Sequence, residues 1–378
     1  MFSYYDKIAI DRARVLVPYF AKADIKFCSV PVPLINGHKD GTFEFTDIQK
    51  KDYGQSQTHP SIVYIPDGFG GHKWWLATTP YPHSNGAFEN PCIYYGDEEN
   101  GEPPLTFTPI SGTASGNYTI TNNPIVKVPD TKTTNSDPDL FFDSQNNKLC
   151  LISRKNTYGY AYYYQESPDG QAWTPRLADA EYIINVNRGM PAELVSPAII
   201  LKDGKNEMYG LSSGGYLVPE SIRTQKGINR GMLIYNGQFT PKGMHIVGKA
   251  SLLGKMEVHP WHFDICYYNN KYYMIFSGTD YNTKRIGLLR MAISDDGLDF
   301  KVYSRPLLPL DYGYYRPSFY IDNDTLVIYG CTESGAPDNA DAYPNGASDV
   351  PVDGRAIFRV MGNLPSIVNT LKADEIRS

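Results

Sequence analysis

The sequence lacks any apolar run of membrane-spanning length, and its opening, MFSYYDKIAIDRARVLVPYF, is broken by Asp6, Lys7, Asp11, Arg12 and Arg14. A bilayer span needs about 20 apolar residues and a secretory leader needs an unbroken apolar stretch. The chain is therefore expected to be made in the cytoplasm, with no signal peptide and no membrane insertion. Basic excess is also missing: 35 Lys and Arg stand against 41 Asp and Glu, a net charge of −6. No Lys/Arg cluster interleaves with aromatics, which argues against a nucleic-acid partner. Cysteine is scarce, with Cys28, Cys92, Cys150, Cys266 and Cys331 widely spaced and mostly set in apolar runs, so buried free thiols are expected in place of a disulfide framework. There is no Cys-x-x-Cys pair, no Gly-x-Ser-x-Gly elbow and no phosphate-cradling glycine loop. No cofactor is expected.

Amphipathic helical periodicity is sparse as well, whereas 30 Tyr, 33 Gly and 28 Pro are abundant. Aromatic-rich runs cut by Gly, Pro and Asn are the pattern of short strands and tight turns. The fold class is all-β. A start signal recurs five times: His59-Pro60-Ser61, Asp137-Pro138-Asp139, Ser196-Pro197-Ala198, His262-Phe263-Asp264 and Arg316-Pro317-Ser318. Its second residues are separated by 78, 59, 66 and 54 positions (138−60, 197−138, 263−197, 317−263). Such spacing suits a roughly 50-residue unit with loop insertions.

Each start leads into an apolar strand, an Asp/Asn/Gly turn, and second strands at Trp74 to Thr79, Leu149 to Ser153, Met208 to Ser212, Tyr272 to Phe276 and Leu326 to Tyr329. Third strands are read at Pro91 to Tyr95, Tyr160 to Gln165, Gly231 to Tyr235, Ile286 to Ile293 and Ala356 to Val360, with weaker fourth strands near Phe107, Trp173, Phe239 and Phe300. The pattern predicts a five-bladed β-propeller over residues 51–361, an N-terminal extension over 1–50 that lends a ring-closing strand, and a helical tail over 362–378. For the closing strand, Thr42 to Thr46 is favoured over Arg14 to Phe20. Ser167-Pro168-Asp169-Gly170 and Ser294-Asp295-Asp296-Gly297 are expected to be hairpin turns without chemistry.

The five start residues should converge on the propeller axis, forming a polar hub with Asp139 and Asp264 two positions on, on the same strand face. The ligand-binding candidates are His59, Asp137, Asp139, Trp261, His262, Asp264, Tyr314 and Arg316. The first group could hold a sugar or form a satisfied polar network; the aromatics, each just before an inner strand, could stack on a sugar ring. Two His and three Asp are metal ligands in kind, but they match no local metal motif, and no metal is expected. The insertions Asp97 to Thr134 and Thr332 to Gly354 read as long loops, suited to ligand or subunit contacts.

His59-Pro-Ser-Ile-Val-Tyr and Asp137-Pro-Asp-Leu-Phe-Phe resemble the first two blade openings of the arabinanase, xylosidase and invertase-like glycoside hydrolases, a likeness covering about residues 55 to 361. That resemblance implies a carboxylate on the inner strand of each of three blades. The second falls on Asp137, but the first falls on His59 and the third at about Val195 or Ser196, with Glu193 displaced upstream. Two of three groups are missing, so hydrolysis is not the leading expectation, and Asp137 is the catalytic candidate if the chain is an enzyme. His59 to Tyr64, Lys73 to Pro82, Glu89-Asn90-Pro91 and Trp261 to Asp264 also resemble propellers of bacteriophage tail and receptor-binding proteins. That resemblance implies a non-catalytic virion component, in a tail or tail fibre, which binds host surface glycan or connects neighbouring virion proteins in a multi-subunit assembly. A glycoside hydrolase acting on a plant-type or cell-surface polysaccharide is the alternative.

Overall fold

The computed structural model describes residues 17–31, 56–81, 88–126, 134–156, 161–175, 193–213, 227–235, 241–254, 258–280, 285–309, 313–332 and 355–377. Four-stranded blade one comprises β2 (Gln57–Phe69), β3 (His72–Pro80), β4 (Cys92–Gly96) and β5 (Thr108–Pro109). Blade two has β6 (Thr134–Asp143), β7 (Lys148–Asn156) and β8 (Ala161–Ser167). Blade three has β9 (Glu193–Lys202), β10 (Lys205–Ser213), β11 (Gly227–Tyr235) and β12 (Pro241–Leu253), and blade four has β13 (Val258–Tyr268), β14 (Lys271–Asp280), β15 (Arg285–Ser294) and β16 (Asp299–Val302). Blade five is built from β17 (Tyr314–Asp322), β18 (Thr325–Thr332), β19 (Ile357–Asn363) and, from the opposite end of the chain, β1 (Lys26–Phe27). The five-bladed propeller and the terminal strand exchange are thus as expected, but the exchanged strand is Lys26–Phe27, paired with Arg359 and Phe358. The favoured Thr42 to Thr46 lies outside the described residues.

Two outer strands differ from expectation. In place of a fourth strand, blade two has at Trp173 one bridge to Ile120, from the long insertion of blade one. The outer strands of blades three and four run parallel and join, Ser251 opposite Asp299. The parallel joint covers edges that would otherwise present unpaired backbone groups.

Strand alternation turns one set of side chains toward each neighbouring blade, so the core is split among the gaps. Trp74 and Leu76 pack toward blade five with Tyr329 and Cys331, whereas Trp75 and Ala77 pack toward blade two with Leu149, Leu151 and Trp173. Phe141, Ile152 and Tyr162 meet Met208, Leu233 and Met244; Tyr209 and Leu211 meet Phe263, Met274 and Phe276. In the last gap Ile275, Leu289 and Met291 meet Phe319, Ile328 and Phe358. The helix α1 (Leu364–Arg377) adds Leu364, Ile367 and Leu371 to this gap, a spacing that puts one helix face on the blade. Asn363 caps it, its Oδ1 accepting from the Ser366 N–H at 3.0 Å.

Both expected hairpin turns are present and alike. Ser167 Oγ accepts from Gly170 N–H at 2.8 Å, and Ser294 Oγ from Gly297 N–H at 2.9 Å. The glycines have φ of 79° and 75°. A side chain at Gly170 would also strike the Trp75 ring, 2.1 Å from an added Cβ. All five cysteines are free.

Candidate functional site

Each inner strand breaks register with its neighbour at the same place, just before or at the start residue: between Thr58 and Ser61, Ser136 and Asp139, Pro260 and His262, Tyr314 and Pro317, and opposite Tyr209 and Leu211 in blade three. A bulge frees one residue from the ladder and re-aims its side chain. In three blades the freed residue is left-handed: His59, Asp137 and Ser196 have φ of 53°, 49° and 52°. None is glycine and each precedes a proline, so the backbone stores strain where the chain meets the axis.

Two residues further on, a hydrogen-bonded ring stitches the blades. Leu140 N–H donates to Ser61 Oγ at 2.8 Å, Ile199 N–H to Asp139 Oδ2 at 2.8 Å, Phe319 N–H to Asp264 Oδ2 at 2.9 Å and Ile62 N–H to Ser318 Oγ at 2.9 Å. Blade three supplies Ala198, which has no acceptor, and Ile265 N–H turns instead to Asp264 Oδ1 at 2.8 Å. Asp139 and Asp264 are therefore structural clamps between blades. Burial, and for Asp139 the charge of Asp264, holds both carboxyls above the usual range.

Above this ring, His59, Asp137 and His262 come together, each offering a ligand atom within 4.8 Å of the others. Asp137 is fully buried. His59 Nε2 is 3.1 Å from Asp137 Oδ1, and Arg154 Nε is 2.8 Å from Oδ2. Arg316 stands further off, Nη1 at 4.0 Å from Asp137 and Nη2 at 3.6 Å from Asp139, and donates to the Pro197 carbonyl at 3.0 Å. Burial alone would raise the Asp137 carboxyl, but Arg154, His59, His262 and Arg316 together hold it below the ordinary carboxylate range. Burial has the opposite effect on the imidazoles: His59 is lowered to about 3 despite Asp137, and His262 lies well below its usual value. The His59 to Asp137 contact thus joins a neutral ring to a carboxylate.

The hydroxyl partners of the two rings match. His59 Nδ1 is 3.0 Å from Thr79 Oγ1, and His262 Nδ1 is hydrogen-bonded to Ser196 Oγ. His262 Nε2 is buried without a hydrogen-bond partner, whereas Asp137 Oδ1 faces His59 Nε2 at 3.1 Å. Two neutral imidazoles, each with one nitrogen held by a hydroxyl, beside an ionised carboxylate are ligands in kind for a divalent cation of borderline softness. Separate blades supply the three side chains, which is why no local spacing reveals them.

Glu89 is the hub's second carboxyl. Its Oε1 is 3.9 Å from His59 Nδ1, and burial, reinforced by the Asp137 charge, raises it to about 8. Trp261 is exposed at the rim with its ring 5.4 Å from that of His262. Tyr314, expected beside it, is turned into the core against Phe358; the bulge shifts the alternation, and Tyr315 faces the hub, 4.2 Å from the His262 ring. The Arg355 guanidinium lies over Tyr315 at 3.6 Å and over Tyr81 at 4.5 Å. Arg154, Glu89 and Arg355 were not singled out from sequence, and Tyr315 was named only within a wider group of aromatics from which Trp261 and Tyr314 were preferred. Arg154 was accessible in principle, because it pairs in register with Ser136.

No protein-family profile and no curated protein matches the chain. Solved structures do. An N-acetylgalactosamine deacetylase from F. plautii, in complex with blood group B trisaccharide, is similar at a TM-score of 0.65 and 17% identity, with 94% of this chain and 97% of that chain covered. A GH43_1 enzyme from Xanthomonas citri complexed with xylose is similar at 0.51 and 12%, covering 88% and 90%. A thermostable family-43 glycoside hydrolase is similar at 0.50 and 13%, covering 80% and 88%. These likenesses establish the glycosidase-type propeller fold. They also correct the expectation of a non-catalytic tail component: the neighbours are carbohydrate-acting enzymes, two of them holding sugars. The texture behind the earlier reading, strand openings and aromatic turns, belongs to the ring itself and does not separate the two classes.

Proposed function

We propose that the chain is a carbohydrate-active hydrolase with its reaction centre at the hub, and that it removes an N-acetyl group from an amino sugar with the help of a divalent cation. The observation that carries the reading is the convergence of His59, Asp137 and His262 from three blades, with His262 Nε2 left unpartnered. The N-acetylgalactosamine deacetylase of the same fold supports the choice of bond.

His59, Asp137 and His262 would hold the cation, and Thr79 and Ser196 orient the rings. Bound there, the cation would polarise the acetyl carbonyl and acidify the water whose oxygen bonds to the carbonyl carbon as the carbon–nitrogen bond breaks and acetate leaves. Glu89 holds a proton on its carboxyl at neutral pH and can give it to the departing amine nitrogen. Trp261 offers an exposed ring face for the sugar at the edge of the hub.

Glycosidic cleavage is the second reading, favoured by one observation. Asp137 is ionised and Glu89 protonated, so two carboxyls have been driven apart as an acid and base pair requires. Incubation with N-acetylated oligosaccharides, xylan and arabinan separates the two. Acetate release that stops on chelation and returns with added metal supports the first reading. New reducing ends without acetate support the second. Neither product, with each divalent metal tried, removes both.

A further inference from the structure

A groove of about 320 Å³ opens between blades one and five, lined by Tyr64, Trp74, Tyr320, Asp322, Glu98 and Lys73 among others. Tyr64 lies five residues beyond His59 and Tyr320 four beyond Arg316, about 13 to 17 Å along the strands from the axis residues. The groove is thus at the hairpin end of these blades, away from the hub.

Three aromatics form its floor. Tyr64 stacks on Trp74 with centroids 5.2 Å apart and on Tyr320 at 4.9 Å, with interplanar angles of 30° and 24°. Trp74 Nε1 donates to Tyr320 Oη at 2.8 Å, so these two rings sit side by side against one face of Tyr64. Tyr64 itself is half-buried and lines the groove. Sealing the joint between the blades accounts for Trp74, which is 5% exposed, but does not require a third ring laid across the seal. Around the platform stand Glu98, Lys73 and Asp322, the last also accepting from Asn323 Nδ2 at 3.3 Å and hydrogen-bonded to Tyr64, while Glu102 is ion-paired with Arg359.

We propose that this groove is a second carbohydrate-binding site, taking a neutral sugar ring stacked on Tyr64 with its hydroxyls donating to Asp322 and Glu98. A flat aromatic face rimmed by carboxylates matches the apolar C–H face and polar edge of a pyranose. The volume admits one or two rings. The glycan class rests on the hydrolase reading, but the site is independent of turnover at the hub.

The test is an array of neutral oligosaccharides containing galactose, N-acetylgalactosamine or xylose, probed with the wild-type chain and with Tyr64→Ala, Asp322→Ala and Trp261→Ala. At least one glycan is expected to bind wild type and Trp261→Ala alike, and to bind Tyr64→Ala at least tenfold more weakly. Should Tyr64→Ala fail to fold by circular dichroism, Asp322→Ala, at the end of β17, decides on the same criterion. A blank array, or binding that Trp261→Ala abolishes while Tyr64→Ala and Asp322→Ala retain it, overturns the proposal. Groove-dependent binding without acetate release would remove the hub reading and leave this one standing.

Discussion

The imidazoles of His59 and His262 come from blades one and four, yet their centroids are 5.3 Å apart and each has its Nδ1 engaged by a hydroxyl, Thr79 and Ser196 respectively. Both rings are anchored through Nδ1, and Asp137 stands beside them. Removing either hydroxyl should leave the fold intact and loosen the cation. Thr79→Val and Ser196→Ala are each expected to weaken divalent-metal affinity by about 10- to 100-fold, measured by calorimetric titration of chelator-treated protein. Unchanged affinity in both variants would separate the hydroxyls from the site.

Asp137 also carries a structural load. With no exposed surface, it faces Arg154, Arg316 and two imidazoles, so its loss strands buried cationic charge. Asp137→Ala should cost about 3 to 5 kcal/mol in a denaturant melt. A loss under about 1 kcal/mol, the range of a solvated ion pair, would mean that the hub is open to water.

Trp261 tests where the sugar lies. It is 39% exposed while its neighbour His262 is 2% exposed, a step from rim to floor within one residue. Trp261→Ala should raise KM about three- to tenfold with kcat little changed, the equivalent of roughly 0.5 to 1.5 kcal/mol of ring stacking. A fall in kcat at constant KM would place the ring in the chemistry instead of in binding.

The hairpin at Ser294 gives a pH signature away from the hub. Asp296 Oδ1 accepts from Leu298 N–H at 2.8 Å and Asp299 N–H at 2.9 Å. These bonds, from Asp299 first and then Leu298, with the Ser294 hydroxyl, lower its carboxyl to about 2. A folded value below the unfolded one, about 3.9, gives stability that is present above pH 4 and lost as pH falls through 2. Asp296→Asn should therefore be less stable than wild type at neutral pH and converge with it near pH 2. A gap that stays constant down to pH 2 would contradict the assignment.

Much of this was legible in the sequence. The five strand openings gave the blade count, and with it the convergence of His59, Asp137, His262 and Arg316. A two-residue strand such as Lys26–Phe27 has no period to read, so the ring closure was expected but not the strand that makes it. Tyr314 and Tyr315 exchange roles because a bulge resets the alternation, and no pattern of period two predicts where a bulge falls. The proposed metal-ligand set spans intervals of 78 and 125 residues (137−59, 262−137), far outside any local motif. Glu89 was out of reach for a related reason: only folding sets it beside Asp137.

The most direct measurement is the metal content of the hub set against its activity. Protein stripped with chelator and titrated with Zn²⁺ or Mn²⁺ is predicted to bind one equivalent, to regain acetate release from an N-acetylated oligosaccharide in proportion to occupancy, and to do neither as His262→Ala. No bound equivalent in wild type, or full acetate release by the stripped protein, would contradict the account.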